Sequence, residues 1–138
     1  MTMTLERIIK FAAKHLPLLK VLTLAWMFLI ALLCIIPPDD FPETGGIPHL
    51  DKFVHFALYV VFTFMSLFVF SGSKQPQRIH FILLPGIFIF SLWIEVMQGV
   101  LPLGRSFSLI DLVANLSGII TGLLLFRRIR YLLTLSQQ

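Results

Sequence analysis

Apolar residues fill four long stretches of this chain, and the polar residues within them are not scattered. The stretches run roughly from Leu18 to Ile36, Phe53 to Phe70, Ile79 to Val100 and Leu109 to Phe126. Each has about the 20 residues that carry a helix across a bilayer. Breakers and polar residues separate them. Pro37-Pro38 ends the first, Ser71-Gly72-Ser73 closes the second, and Arg127, Arg128 and Arg130 follow the fourth. Before the first stretch, Leu5, Ile8, Ile9, Ala12 and Leu16 recur at helical spacing against Arg7, Lys10 and Lys14. That spacing suits an amphipathic helix lying in the membrane interface. The pattern predicts an all-α fold: one domain over residues 1–138, built as a four-transmembrane-helix bundle with an N-terminal interfacial segment. Pro85 removes one backbone donor inside the third stretch, where a kink is expected.

Within the spans, polar residues fall on stripes. At about 100° per residue, Asp51, Lys52, His55, Tyr59, Thr63 and Ser66 occupy an arc of roughly 120°. Asp111, Asn115, Gly118 and Gly122 fall within roughly 60° of one another. Glycines four apart let a neighbouring helix come close, which would set that neighbour against Asp111 and Asn115. Ser91, Glu95 and Gln98 share one face of the third span. The first span carries only Thr23 and Cys34 beyond its flanking Lys20, and reads as scaffold.

Composition narrows the class. The chain is 57% hydrophobic and 13% charged, where a soluble domain has about a quarter of its residues charged. Four spans use most of its 138 residues, so any activity must come from the helices and their short loops. The net charge of +4 does not point to nucleic acid, because the basic residues flank the spans. Arg7, Lys10 and Lys14 precede the first and Lys20 lies at its start, Lys74 and Arg78 lie between the second and third, and three arginines follow the fourth. The remaining loops hold only Lys52 and Arg105. The positive-inside rule then places both termini in the cytoplasm and loops 37–52 and 101–108 outside. The first span lacks a small-residue cleavage site before Pro37, and Leu33 precedes Cys34 where a lipoprotein signal has a small residue, so it is expected to remain as a span. A single cysteine excludes an internal disulfide.

The orientation gathers the chemistry at one level. Asp51, Lys52, His55, Glu95, Gln98, Arg105, Asp111 and Asn115 all fall toward the outer side. Glu95 lies roughly 9 Å below the end of its helix, and His55 about 5 Å below Lys52, which describes a shallow pit rather than a channel. Ionisable groups in lipid are costly and are kept when they pair or work. His55 titrates near neutrality, as a general acid or base does. Glu95 is the deepest acid: a proton carrier, a ligand-binding carboxylate or half of an ion pair. His55, Glu95 and Asp111 are therefore the catalytic candidates. Asp51, Lys52, Tyr59, Gln98, Arg105 and Asn115 are the candidates for holding a ligand. Asp111 or Ser108 can cap the fourth helix, whereas Asn115 lies one turn too deep to cap and is placed for interhelical hydrogen bonding. Lys52 and Arg105 suit a phosphate, but three carboxylates against two cations leave the layer at −1 when His55 is neutral, without the surplus positive charge of an anion site. Asp51, His55, Glu95 and Asp111 are the conceivable metal donors. No H-x-x-x-H or C-x-x-C spacing supports a metal and His49 lies in a loop, so no metal or other cofactor is expected.

Three motifs are specific. The stretch Asp51-Lys52-Phe53-Val54-His55-Phe56-Ala57-Leu58-Tyr59 resembles the D-K-x-x-H-F-x-x-Y signature of VanZ-like membrane proteins. Glu95-Val96-Met97-Gln98 in the third span, and Arg105-Ser106-Phe107 followed by Asp111 to Gly118, match in order and spacing. Leu116 stands where the family usually has Thr. The resemblance implies a small bacterial envelope protein from a family named for a member linked to reduced sensitivity to teicoplanin, a lipid-tailed glycopeptide. Three functions are then expected in order. The first is binding or shielding a lipid-anchored headgroup or cell-wall precursor at the outer leaflet, with an effect on the response to such glycopeptides. The second is an intramembrane enzyme acting on a lipid phosphate, with His55 and Glu95 as acid/base pair. The third is a structural or partner-binding role. The expected partners are membrane lipids or a lipid-linked precursor, and no nucleic acid.

Overall fold

The computed structural model describes residues 10, 11, 13–35, 50–73, 75–102 and 104–135. It is all-helical. The helices are α1 (Leu16–Ile35), α2 (Leu50–Val69), α3 (Pro76–Val100) and α4 (Leu109–Leu135), and each is long and apolar enough to cross a membrane. The chain is a multi-pass membrane protein. Most of the amphipathic N-terminal segment lies outside the described residues, as do Pro37, Pro38 and His49 in the loop before α2, and Lys74. Lys10, Phe11, Ala13 and Lys14 are helical, and the His15 N–H bonds to Phe11 O at 3.0 Å, leading into α1.

Local chemistry sets the helix ends. Pro76 sits in the first turn of α3, where no backbone donor is needed. The Ser108 hydroxyl accepts the Asp111 N–H at 3.2 Å, so Ser108 rather than Asp111 caps α4. Asp111 remains in the first turn, where a carboxylate complements the helix dipole. Pro85 lies inside a continuous α3. α4 continues past Phe126 to Leu135, beyond the expected span. Arginine is a good helix former, so charge ends the apolar stretch without ending the helix. The Arg130 guanidinium lies 5.8 Å from the Phe126 ring centre, and His80 of α3 meets the same ring edge-on.

The closest pair is α2 against α4, through Gly118 and Gly122. A Cβ on Gly118 would lie 2.5 Å from Phe56 O, and one on Gly122 would lie 2.7 Å from Val60 O. Backbone meets backbone there, as the small-residue stripe predicts. Around this pair the core closes through Ile30 and Cys34 of α1, Leu58, Tyr59 and Phe62 of α2, Ile87 and Ile94 of α3, and Ile119 of α4. α1 is the least embedded helix. Leu18, Val21, Leu24 and Phe28 point outward, as a lipid-facing surface requires. It is tied to the bundle by Trp26 Nε1–H, which donates to Leu58 O at 3.1 Å.

Candidate functional site

At the end of the bundle where α2 and α4 begin and α3 ends, the three polar stripes meet. This is the polar end. The glycine contact sets α4 on the α2 face that carries His55, so Asp111 and Asn115, two turns and one turn before Gly118, come level with Lys52 and His55. Ser91 and Glu95 reach the same level from α3. His55, Ser91, Glu95, Gln98, Asp111 and Asn115 are all buried.

A directed chain of hydrogen bonds crosses three helices. The Asn115 amide donates from Nδ2 to Ser91 Oγ at 2.9 Å. That turns its Oδ1 toward His55 Nδ1, 3.1 Å away. A carbonyl oxygen only accepts, so Nδ1 carries the hydrogen and Nε2 of the neutral ring keeps a lone pair. With its amide in this orientation, Asn115 fixes the tautomer of His55. Glu95 is fully buried. Its Oε2 accepts the Ser108 N–H at 3.3 Å, whereas Oε1 has no hydrogen-bond donor among the described residues and lies 3.8 Å from His55 Nδ1. Lys52 bridges two acids, hydrogen-bonding Asp51 Oδ2 at 2.5 Å and lying 2.6 Å from Asp111 Oδ1.

The loop between α3 and α4 closes over this layer. Gly104 takes a φ of 71°, a left-handed turn that glycine adopts without strain. Phe107 packs back on Gly99, where an added Cβ would sit 3.0 Å from Phe107 Cβ. Arg105, partly buried in this loop, is close enough for its charge to act on His55 and Glu95.

The sequence-expected residues therefore divide by position. His55, Glu95, Asp111, Asn115, Lys52 and Asp51 form one cluster, with Arg105 at its edge. Gln98 turns away: its Nε2–H donates to Cys34 O at 2.7 Å and ties α3 to α1. Tyr59 is wholly buried one turn below His55, with Thr63 and Ser66 continuing the stripe inward. Two partners carried no sequence signal of their own. Ser91 shares the Glu95 face, but its role depends on α4 lying opposite. The Ser108 amide is backbone, which no motif reads.

One ligand atom from each of His55, Glu95 and Asp111 lies within 4.8 Å of the others, so these three can hold a metal ion. Motif spacing is blind to this set because each residue comes from a different helix.

The chain matches the VanZ/LLP1 family over residues 11–132, nearly its whole length. It belongs to that family. No curated protein and no solved structure matches it. In this VanZ-like protein Asp51, Lys52, His55, Glu95, Arg105, Asp111 and Asn115 lie on the helices and loop that build the polar end.

Proposed function

We propose that this VanZ-like protein binds the headgroup of a lipid-anchored molecule at the outer face of the bacterial inner membrane. Both termini lie in the cytoplasm in this reading, so the polar end opens outward. Lys52 and Arg105 hold an anionic group, while His55, Glu95 and Asn115 orient its hydroxyl or amide groups. Lipid-linked wall precursors have that chemistry, and sequestering one would change the response to lipid-tailed glycopeptides.

The supporting observation is the incomplete satisfaction of the layer. A purely structural network in lipid meets the needs of its own members, since a buried polar atom without a partner costs about 1–3 kcal/mol. Glu95 Oε1 is buried and takes no hydrogen bond from the described residues. The ordering of His55 by Asn115 and Ser91 supports a second reading, an enzyme acting on the bound lipid phosphate with His55 as base and Glu95 as its partner.

Native mass spectrometry of detergent-purified protein tests the first reading. Wild type is expected to retain a phospholipid or lipid-linked precursor, and folded Arg105→Ala and His55→Ala variants to lose it. No retained lipid in wild type, with both variants unfolding early, would leave the structural role. Turnover of the retained lipid by wild type, abolished in folded Glu95→Gln, would establish the enzyme.

A further inference from the structure

We infer that His55, Glu95 and Asp111 form a binding site for one divalent transition-metal ion, and that the ion supplies the positive charge by which the polar end takes an anionic headgroup. The second half rests on the headgroup reading; the first stands on geometry alone.

Four observations converge. First, a ring nitrogen and two carboxylate oxygens, one from each of α2, α3 and α4, lie within 4.8 Å of one another. A cation drawing each ligand in to about 2.0–2.2 Å fits between groups at that separation. Second, Glu95 Oε1 is buried and accepts no hydrogen bond among the described residues, while Asp111 Oδ1 is paired with the Lys52 ammonium at 2.6 Å. Lys52 also hydrogen-bonds Asp51, so Asp111 can give an oxygen to a cation without leaving the ammonium unpaired.

Third, the supporting bonds are in place. A metal-binding histidine donates its other ring N–H to a carbonyl or carboxylate oxygen, which fixes the tautomer. His55 Nδ1–H does so to Asn115 Oδ1, 3.1 Å away, leaving the lone pair on Nε2; Glu95 Oε1, which lies 3.8 Å from Nδ1, turns to the Nε2 side when the ion binds. Glu95 is steadied in turn by the Ser108 N–H on its other oxygen. Fourth, the charge count changes sign. Asp51, Glu95 and Asp111 against Lys52 and Arg105 leave −1, which repels an anion; a divalent ion makes the layer +1. One imidazole and two carboxylates suit Zn²⁺ or Mn²⁺ better than Mg²⁺ or Ca²⁺, which prefer oxygen alone. Three protein ligands leave positions for an oxygen of the headgroup, the arrangement of an open metal site.

The test is metal content and binding in detergent, without added lipid. Chelator-stripped protein is titrated with Zn²⁺ or Mn²⁺ by calorimetry, and metal content is read by mass spectrometry. One ion per chain is expected, with a rise in thermal stability. Glu95→Gln and Asp111→Asn should abolish it, and Asn115→Ala should weaken it about 10- to 100-fold through the His55 tautomer. Folded wild type that takes up neither ion, or Glu95→Gln that binds as wild type does, would overturn the site. Should the variants not fold, Mn²⁺ bound to wild type is examined by pulsed electron paramagnetic resonance. Coupling to one imidazole nitrogen is expected, and its absence overturns the assignment. Lipid retention measured with and without EDTA separates this inference from the headgroup reading. Retention unaffected by EDTA in a metal-loaded protein overturns the ion's role in holding the headgroup and spares the reading. Metal bound at His55 with no lipid under either condition does the reverse for the reading.

Discussion

At the scale of single residues, the polar end is a set of mutual dependencies. Asn115 is fully buried and serves Ser91 and His55 at once. An interhelical hydrogen bond in a membrane is worth only about 0.6 kcal/mol on average. Stranding a buried partner costs more, about 1–3 kcal/mol. Asn115→Leu strands both His55 Nδ1–H and Ser91 Oγ, so it should lower stability by more than Ser91→Ala, which strands one amide hydrogen. Unfolding in mixed detergent micelles checks the order, and equal losses would show that the chain of bonds is not cooperative. Much of this layer was legible from sequence, because an ionisable residue in an apolar run marks itself by its cost. His55, Glu95 and Asp111 stand out in that way, and Asn115 as an amide on the same stripe as Asp111. Their partners did not. Whether Asn115 faces His55, or Gln98 faces Cys34 O, depends on the rotation of two helices about their own axes, and one sequence carries only the stripe of each.

At the scale of helices, the glycine stripe decides the geometry. Gly118 and Gly122 show a close approach in the sequence, and the structure supplies the partner, the backbone of α2 at Phe56 and Val60. Gly118→Ala puts a methyl against a carbonyl oxygen that cannot move without the helix, and overpacking of this kind costs about 1–3 kcal/mol. Gly86 of α3 has nothing within 4 Å of an added Cβ, so Gly86→Ala should be neutral or stabilising by up to about 1 kcal/mol. Thermal unfolding of the two variants side by side checks this, and similar losses in both would mean that glycine matters here for flexibility rather than for closeness. Gly118→Ala should also disturb the polar end, since the same contact brings Asp111 level with Lys52. The apolar runs showed the helices, but the extension of α4 past Phe126 was hidden. Hydropathy reads the membrane boundary, and a helix can cross that boundary unbroken.

At the scale of the whole molecule, orientation is the expectation on which the proposed function rests. Cys34 is buried, so the native thiol should be silent to labelling. A membrane-impermeant maleimide should then modify Ser106→Cys in intact cells, and Gln75→Cys only after permeabilisation. The reverse pattern would turn the polar end toward the cytoplasm and remove the outer-leaflet partner. The loop over that end has a further consequence. Its Ser108 amide is held by the same Glu95 carboxylate that belongs to the buried cluster. Anything that draws Glu95 inward, tightens it or releases it must alter the hold on that amide. The rate at which the Ser108 amide trades its hydrogen for deuterium is thus a gauge, readable at the protein's surface, of what occupies its interior.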